Sequence, residues 1–293
     1  GDGNLPFENA GVLKTTGFEL QAKWSDKLSN GFAYSVGVAL SDDKAEVLSY
    51  PSNPTNKIGD GVLYKGYTVG DIWGYETGGI LQESDFDGVG PNGKPLYHGA
   101  YFKGGQPYPG YVWYQDLDHD GVITSGLSTV DDPGDKKVIG NNAPRYRYNI
   151  TANFQYKGFD LDLMFQGVGK RDYWLKDVSS YWGGGAGSWE TYNQSWTPER
   201  TDAKFPMYGS GIGSYAQSGY LLDASYIKLK QVILGYTFPK ALIGKVGLEK
   251  LRLNIAAYNL FTLSDVPKYY DSDYLSDAYP PKRTFSVGIQ VGF

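Results

Sequence analysis

Asp116, Asp118 and Asp120 occupy alternate positions in the run Asp116-Leu117-Asp118-His119-Asp120-Gly121-Val122-Ile123. Carboxylates spaced by two in a tight loop can turn toward one centre, and the glycine after them permits the sharp bend that this requires. The chemistry of such a set is the binding of a hard cation, Ca2+ first among them, with the main-chain carbonyl of Val122 as a further oxygen. The twelfth position of a calcium loop, which normally brings a bidentate carboxylate, falls on Leu127, which has no ligating atom. The alternative for the same residues is an Asx-rich solvated turn.

Other chemistry has little equipment. Glu83, Asp85 and Asp87 offer carboxylate pairs of the kind a glycosidase uses, but nothing fixes their separation, and a solvated acidic loop accounts for them. His98 and His119 are the only histidines, cysteine is absent, and no triad or zinc spacing surrounds them. The chain is therefore not expected to be an enzyme. A net charge of -5 without a basic stripe argues against nucleic acid. Aromatic residues between the regular segments are a separate matter. Trp73, Trp113, Trp174, Trp182 and Trp189 are candidate platforms for substrate, because aromatic faces stack on sugars and on apolar peptide side chains.

The elements that position these residues read as β-strands. Aromatics make up 16% of the 293 residues, led by 26 tyrosines, and 40 glycines punctuate them, which favours an all-β class. No run of about 18 apolar residues exists, so no transmembrane helix is expected, but a membrane barrel crosses with strands of alternating polarity. Such alternation is plain: Phe285, Val287, Ile289, Val291 and Phe293 against Thr284, Ser286, Gly288, Gln290 and Gly292; Phe154 and Tyr156 against Asn153 and Gln155; Leu161 and Leu163 against Asp160 and Asp162. Phe18 to Trp24 and Phe32 to Leu40 repeat it, as do Ser225 to Phe238, with a phase slip near Lys230 and Gln231 that predicts a bulge, and Leu251 to Leu263. Seven strands result, and a hairpin around Tyr67 to Leu81 would raise the count to nine. Short connections alternate with long ones, the asymmetry of an outer-membrane barrel with short periplasmic turns and long extracellular loops. Phe18, Trp24, Tyr34, Phe154, Leu161, Leu163, Val287 and Ile289 are then expected to face lipid, and Glu19, Lys23, Arg147, Asn153 and Asp160 the lumen. Seven to nine strands leave open edges, so the chain is expected to be part of a larger antiparallel barrel.

Several motifs carry a family resemblance. The run from Tyr226 to Pro239, YIKLKQVILGYTFP, resembles the segment SYLRLKNVTLGYTLP of SusC/RagA-type TonB-dependent transporters. Leu222-Asp223-Ala224-Ser225, Asn259-Leu260-Phe261-Thr262, Trp196-Thr197-Pro198-Glu199, Gly17-Phe18-Glu19-Leu20 and the ending from Arg283 are similar too, in the family's order. Tyr270-Asp271-Ser272-Asp273 departs from the family's Y-D-P-E. The resemblance implies that residues 1–293 form the C-terminal part of a barrel of about 22 strands with a plug in its lumen. It implies import of oligosaccharides or oligopeptides, energy from TonB, a SusD-like lipoprotein lid and an outer-membrane location. A passive porin or an adhesive barrel is the alternative that alternation alone would permit. The resemblance also points to Asp135, before Val138-Ile139-Gly140, as the missing carboxylate of the cation loop, with Asp131 and Asp132 as rivals, and to Phe293 as a terminal aromatic read by the assembly machinery.

Overall fold

The computed structural model describes residues 11–90, 93–174, 192–210, 215–266, 270–275 and 281–293. Seven long strands form one sheet in the order β1 to β7: Val12–Lys27, Ala33–Ser49, Arg145–Tyr156, Phe159–Lys170, Tyr226–Thr237, Lys250–Leu263 and Thr284–Gly292. Each strand lies next to its neighbour in sequence, and from β2 to β7 the pairing is antiparallel. The all-β expectation holds at its lower count of seven.

The residues make these strands because one alternation runs unbroken across them. Tyr34, Phe154, Leu161, Leu234, Ile255 and Val287 stand opposite one another from β2 to β7. The next apolar row is Val36, Ala152, Leu163, Val232, Ala257 and Phe285. Between them, on the other face, runs Ser35, Asn153, Asp162, Ile233, Ala256 and Ser286. Trp24 joins the apolar face by donating its indole N–H to the Tyr34 hydroxyl at 3.3 Å. Val287 is 77% exposed, Phe285 69% and Ile289 68%, so this face has no protein over it, the arrangement of strands built to meet an apolar solvent. Phe293, past the end of β7, is exposed too.

The phase slip near Lys230 is a bulge. Met164 pairs with Gln231 and Phe165 with Leu229, which leaves Lys230 without a partner on β4. On the other side Leu229 pairs with Phe261 and Gln231 with Tyr258, so Asn259 and Leu260 bulge opposite it, with Asn259 in the left-handed region at φ 54°. The double bulge returns the apolar and polar sets to their faces beyond it.

The chain divides into two compact units. One comprises Thr16–Lys44, Pro144–Arg171 and Asp223–Phe293 and carries most of the sheet. The other, Gly1–Thr15, Ala45–Ala143 and Asp172–Leu222, is built from the long connections. Its core is aromatic: Tyr75 stacks on Tyr114 at 4.7 Å, with Phe102 edge-on to both, among buried Leu81, Tyr97, Val112 and Ile123. The hairpin expected around Tyr67 to Leu81 is not formed. Asp71–Tyr75 pairs with Lys136–Asn141, and Thr77–Ile80 with Val112–Tyr114. A side chain at Gly78 would collide with the Trp113 ring, so the bare backbone at that position admits Trp113 and with it the 112–114 strand.

The two faces make a measurable difference to charge. In lipid vesicles, Leu163→Arg is expected to destabilise the folded protein by about 2–4 kcal/mol, while Ser35→Arg on the other face costs less than about 1 kcal/mol. Equal losses in a denaturant titration would mean that the two faces meet the same solvent.

Candidate functional site

The Asp116 loop folds as its spacing requires. One carboxylate oxygen from each of Asp116, Asp118 and Asp120 lies within 4.8 Å of the others. Each carboxylate is also tied to the loop's own backbone. Asp116 accepts from the N–H of His119 at 2.7 Å and of Gly121 at 2.8 Å, Asp118 from Asp120 at 3.2 Å, and Asp120 from Val122 at 2.7 Å. His119 and Gly121 take the positive φ values, 62° and 85°, that the tight winding demands. Val122 and Ile123 then pair with Tyr101 and Phe102, and buried Ile123 anchors the loop in the aromatic core. Leu127 is 74% exposed and takes no part.

Asp135 has a different place. It is fully buried, and its two oxygens accept the N–H groups of Leu117 and Thr124, each at 2.7 Å, so it braces both flanks of the loop. Burial pushes its carboxyl up from the ordinary 3.8, the two backbone donors oppose that, and Asp118 and Asp116 add to the rise. A site with three converging carboxylates and a fourth buried nearby is short of positive charge. An all-oxygen donor set of this kind fits a hard cation.

Three of the five candidate tryptophans pack within the long connections. Trp113 lies over the backbone of Gly78 and Gly79 and has the His98 imidazole at 4.3 Å. Trp73 donates to the Tyr64 hydroxyl at 2.9 Å and packs on the cluster of Val47, Ile58, Tyr64 and Tyr67. Trp174 is buried with Ile72, Phe205 and Leu221 around it. Trp182 and Trp189 lie outside the described residues. Exposed rings occur elsewhere, at Tyr108, Tyr192 and Tyr208.

A second constellation on the polar face escaped the sequence reading. Lys228, 3% exposed, points from β5 toward the segment 270–275. Its ammonium donates to both oxygens of Asp271 at 2.8 and 2.9 Å and to Asp273 at 2.7 Å. The Tyr226 hydroxyl also donates to Asp273, and Lys230, freed by the bulge, stands 3.6 Å from the same carboxylate. Burial alone would raise the Asp273 carboxyl, but the hydrogen bonds from Lys228 and Tyr226 and the charges of Lys228 and Lys230 outweigh it and hold it below 3.8. The contribution of this pair is therefore complete above that value and is lost only as pH falls through the lower folded-state pKa. A lysine two residues before a phase slip was the available signal, but its partners lie more than 40 residues along the chain.

Breaking this network should cost more than a surface ion pair. Lys228→Met leaves two partly buried carboxylates with Lys230 alone, and a loss of about 3–5 kcal/mol is expected by denaturant titration, most of it recovered in K228M/D271N/D273N. Equal stability of wild type and Lys228→Met would show the pair to be solvated.

No family model matches the chain, but whole-chain comparisons do find relatives. Over 98% of its length it is 27% identical to TonB-dependent receptor P3 of Formosa agariphila, and over 99% it is 24% identical to TonB-dependent receptor P26 of the same organism. TonB-dependent receptor SusC of Bacteroides thetaiotaomicron is 26% identical over 62% of the chain. The chain spans about 30% of the length of the first two, 29% and 30% respectively. Its fold matches the RagAB peptide transporter with a TM-score of 0.69 and 18% identity, over 98% of this chain and 30% of that one. The RagAB peptide importer in its open-open state matches with 0.66 and 20% identity, over 97% and 29%. These relatives carry receptor and transporter names, not enzyme names. In sequence the chain is thus similar to TonB-dependent receptors, SusC among them, and in fold to about 30% of the chain of the RagAB transporter.

Proposed function

We propose that the receptor containing this chain actively imports oligopeptides or oligosaccharides across the outer membrane, driven through TonB, with a SusD-like lipoprotein as lid. The observation that carries the barrel in this reading is the pair of faces: apolar rows suited to hydrocarbon on one side of the sheet, and on the other Ser35, Asn153, Asp162 and the charged network, suited to a wet lumen. The receptor names of the relatives support TonB as the energy source, and the RagAB assemblies support a partner lipoprotein. On this reading the long connections between strands are extracellular loops. A passive porin would share the strands but would not depend on TonB. Uptake of oligopeptides and oligosaccharides by cells carrying the receptor is expected to fall to background when TonB is deleted; uptake that persists would identify a porin.

Within that receptor the Asp116, Asp118 and Asp120 carboxylates would hold Ca2+, with the Val122 carbonyl and Asp135 as further oxygens to be tested. The ion would supply a structural cross-link, neutralising carboxylates that otherwise repel. Calcium at about 100 times its Kd is expected to stabilise the folded receptor by about 2.7 kcal/mol, and Asp118→Asn to reduce the effect. A melting temperature indifferent to calcium and to chelator would leave the loop as a solvated turn.

A further inference from the structure

Ser272 is 3% exposed, yet its hydroxyl has no hydrogen-bond partner among the described residues. Buried hydroxyls are nearly always paired, so an orphan needs an explanation in what lies next to it. Ser272 lines a cavity of about 340 Å³ between the segment 270–272 and the polar face of β5 and β6. Thr262 stands directly opposite Lys228 in register and so shares that face, and Asn259 and Arg283 complete the polar lining.

The charges of this lining decide what it can accept. Lys228 holds Asp271 and Asp273 at 2.7 to 2.9 Å, and Lys230, 3.6 Å from Asp273, brings the cluster to two cations for two carboxylates. Asn259 spends an amide N–H on the Lys282 carbonyl at 3.1 Å. Arg283 is exposed and has no ion-pair partner among the described residues. The cavity thus presents one uncompensated guanidinium, the Ser272 and Thr262 hydroxyls, and little else that is charged. A planar fork of donors beside hydroxyls matches a carboxylate, which accepts from arginine in bidentate fashion. The volume, at the low end for a ligand pocket, suits one unit of an oligomer and not a whole chain.

We propose that this cavity binds a carboxylate-bearing unit of the imported ligand, the C-terminal residue of a peptide or an acidic sugar, with Arg283 pairing the charge and Ser272 and Thr262 the oxygens. The inference rests on the import reading above.

The test uses the full-length receptor in lipid nanodiscs and two pairs of probes. One is tetra-alanine with a free C-terminal carboxylate against its C-terminal amide; the other is a glucuronic-acid-ended trisaccharide against its glucose-ended counterpart. In one pair the acid is expected to bind at least about tenfold more tightly than the neutral form, and the pair that shows it names the source of the carboxylate. Arg283→Gln should bring the two members of that pair together, Arg283→Lys should keep part of the difference, and Ser272→Ala should weaken only the acid. Binding that is equal within both pairs, absent for both acids, or as selective in Arg283→Gln as in wild type would overturn the site and leave the cavity to water. Uptake assays keep the two readings apart. TonB-dependent uptake with no preference for acids refutes the site alone, whereas TonB-independent uptake refutes the importer and leaves a measured acid preference in place.

Discussion

Register is the constraint on which the rest of this structure depends. With a side-chain period of two, a slip of one residue between any two strands would turn a whole apolar row to the polar face and carry charge to the other. Six cross-strand partners from Tyr34 to Val287 hold that alignment across β2 to β7. No single pair specifies it, since each contributes about 0.2–1 kcal/mol, but the rows are consistent with one another and their preferences add. Glycines keep the row geometry where larger groups must cross it. A side chain at Gly235 would collide with the Arg252 and Asp160 side chains, which meet there on the polar face. One at Gly167 would collide with the Tyr148 ring on the apolar face.

The bulge at Lys230 is a departure from register within the long sheet. By inserting Lys230 on β5 against Asn259 and Leu260 on β6, it resets the alternation, so that Leu229 before it and Val232 and Leu234 after it share the apolar face, while Lys228 and Lys230 both reach Asp273. Extra residues in a strand cost ladder pairing, and here the freed backbone coincides with the charged cluster that fixes residues 270–275. A buried lysine shared by two carboxylates is weak evidence of stability in itself, because desolvation offsets the attraction. It is stronger evidence of position, since few other placements of Asp271 and Asp273 satisfy the ammonium. The segment that lines the cavity with Ser272 is therefore held by the charge contact from Lys228 on β5, with Lys230 beside it.

What the sequence revealed follows the range of the interactions involved. The strands, their two faces and the slip at Lys230 were legible because alternation is a local property of ten or so residues. The convergence of Asp116, Asp118 and Asp120 was legible for the same reason: all three sit within five residues and wind round Gly121. The fate of Trp113 was not, because it depends on the absence of a side chain at Gly78, 35 residues earlier. The aromatic core of Tyr75, Phe102 and Tyr114 was likewise hidden, since short strands in long connections carry no periodicity to announce which rings meet. The role of Asp135 was half visible: the resemblance picked out the residue, but only the fold shows its two oxygens spent on Leu117 and Thr124.

The long connections pose a physical problem that their composition answers. A loop of about 95 residues between β2 and β3 would lose too much conformational entropy if it were merely draped over a surface. It avoids that by condensing on its own aromatic core, where the Gln217 side chain, fully buried, donates to the Tyr114 hydroxyl at 3.3 Å and accepts from Thr77 at 3.1 Å. Burial of Tyr75 in this core pushes its phenol up to about 12, because the apolar surroundings disfavour the charged phenolate. The Asp116 loop grows from this core through Ile123 and is braced through Asp135, so its carboxylates are held together by packing that does not itself require a cation. Their mutual repulsion is the part of the arrangement that packing leaves uncompensated. A divalent ion would remove that repulsion at little further entropic cost, because the backbone is already wound into place.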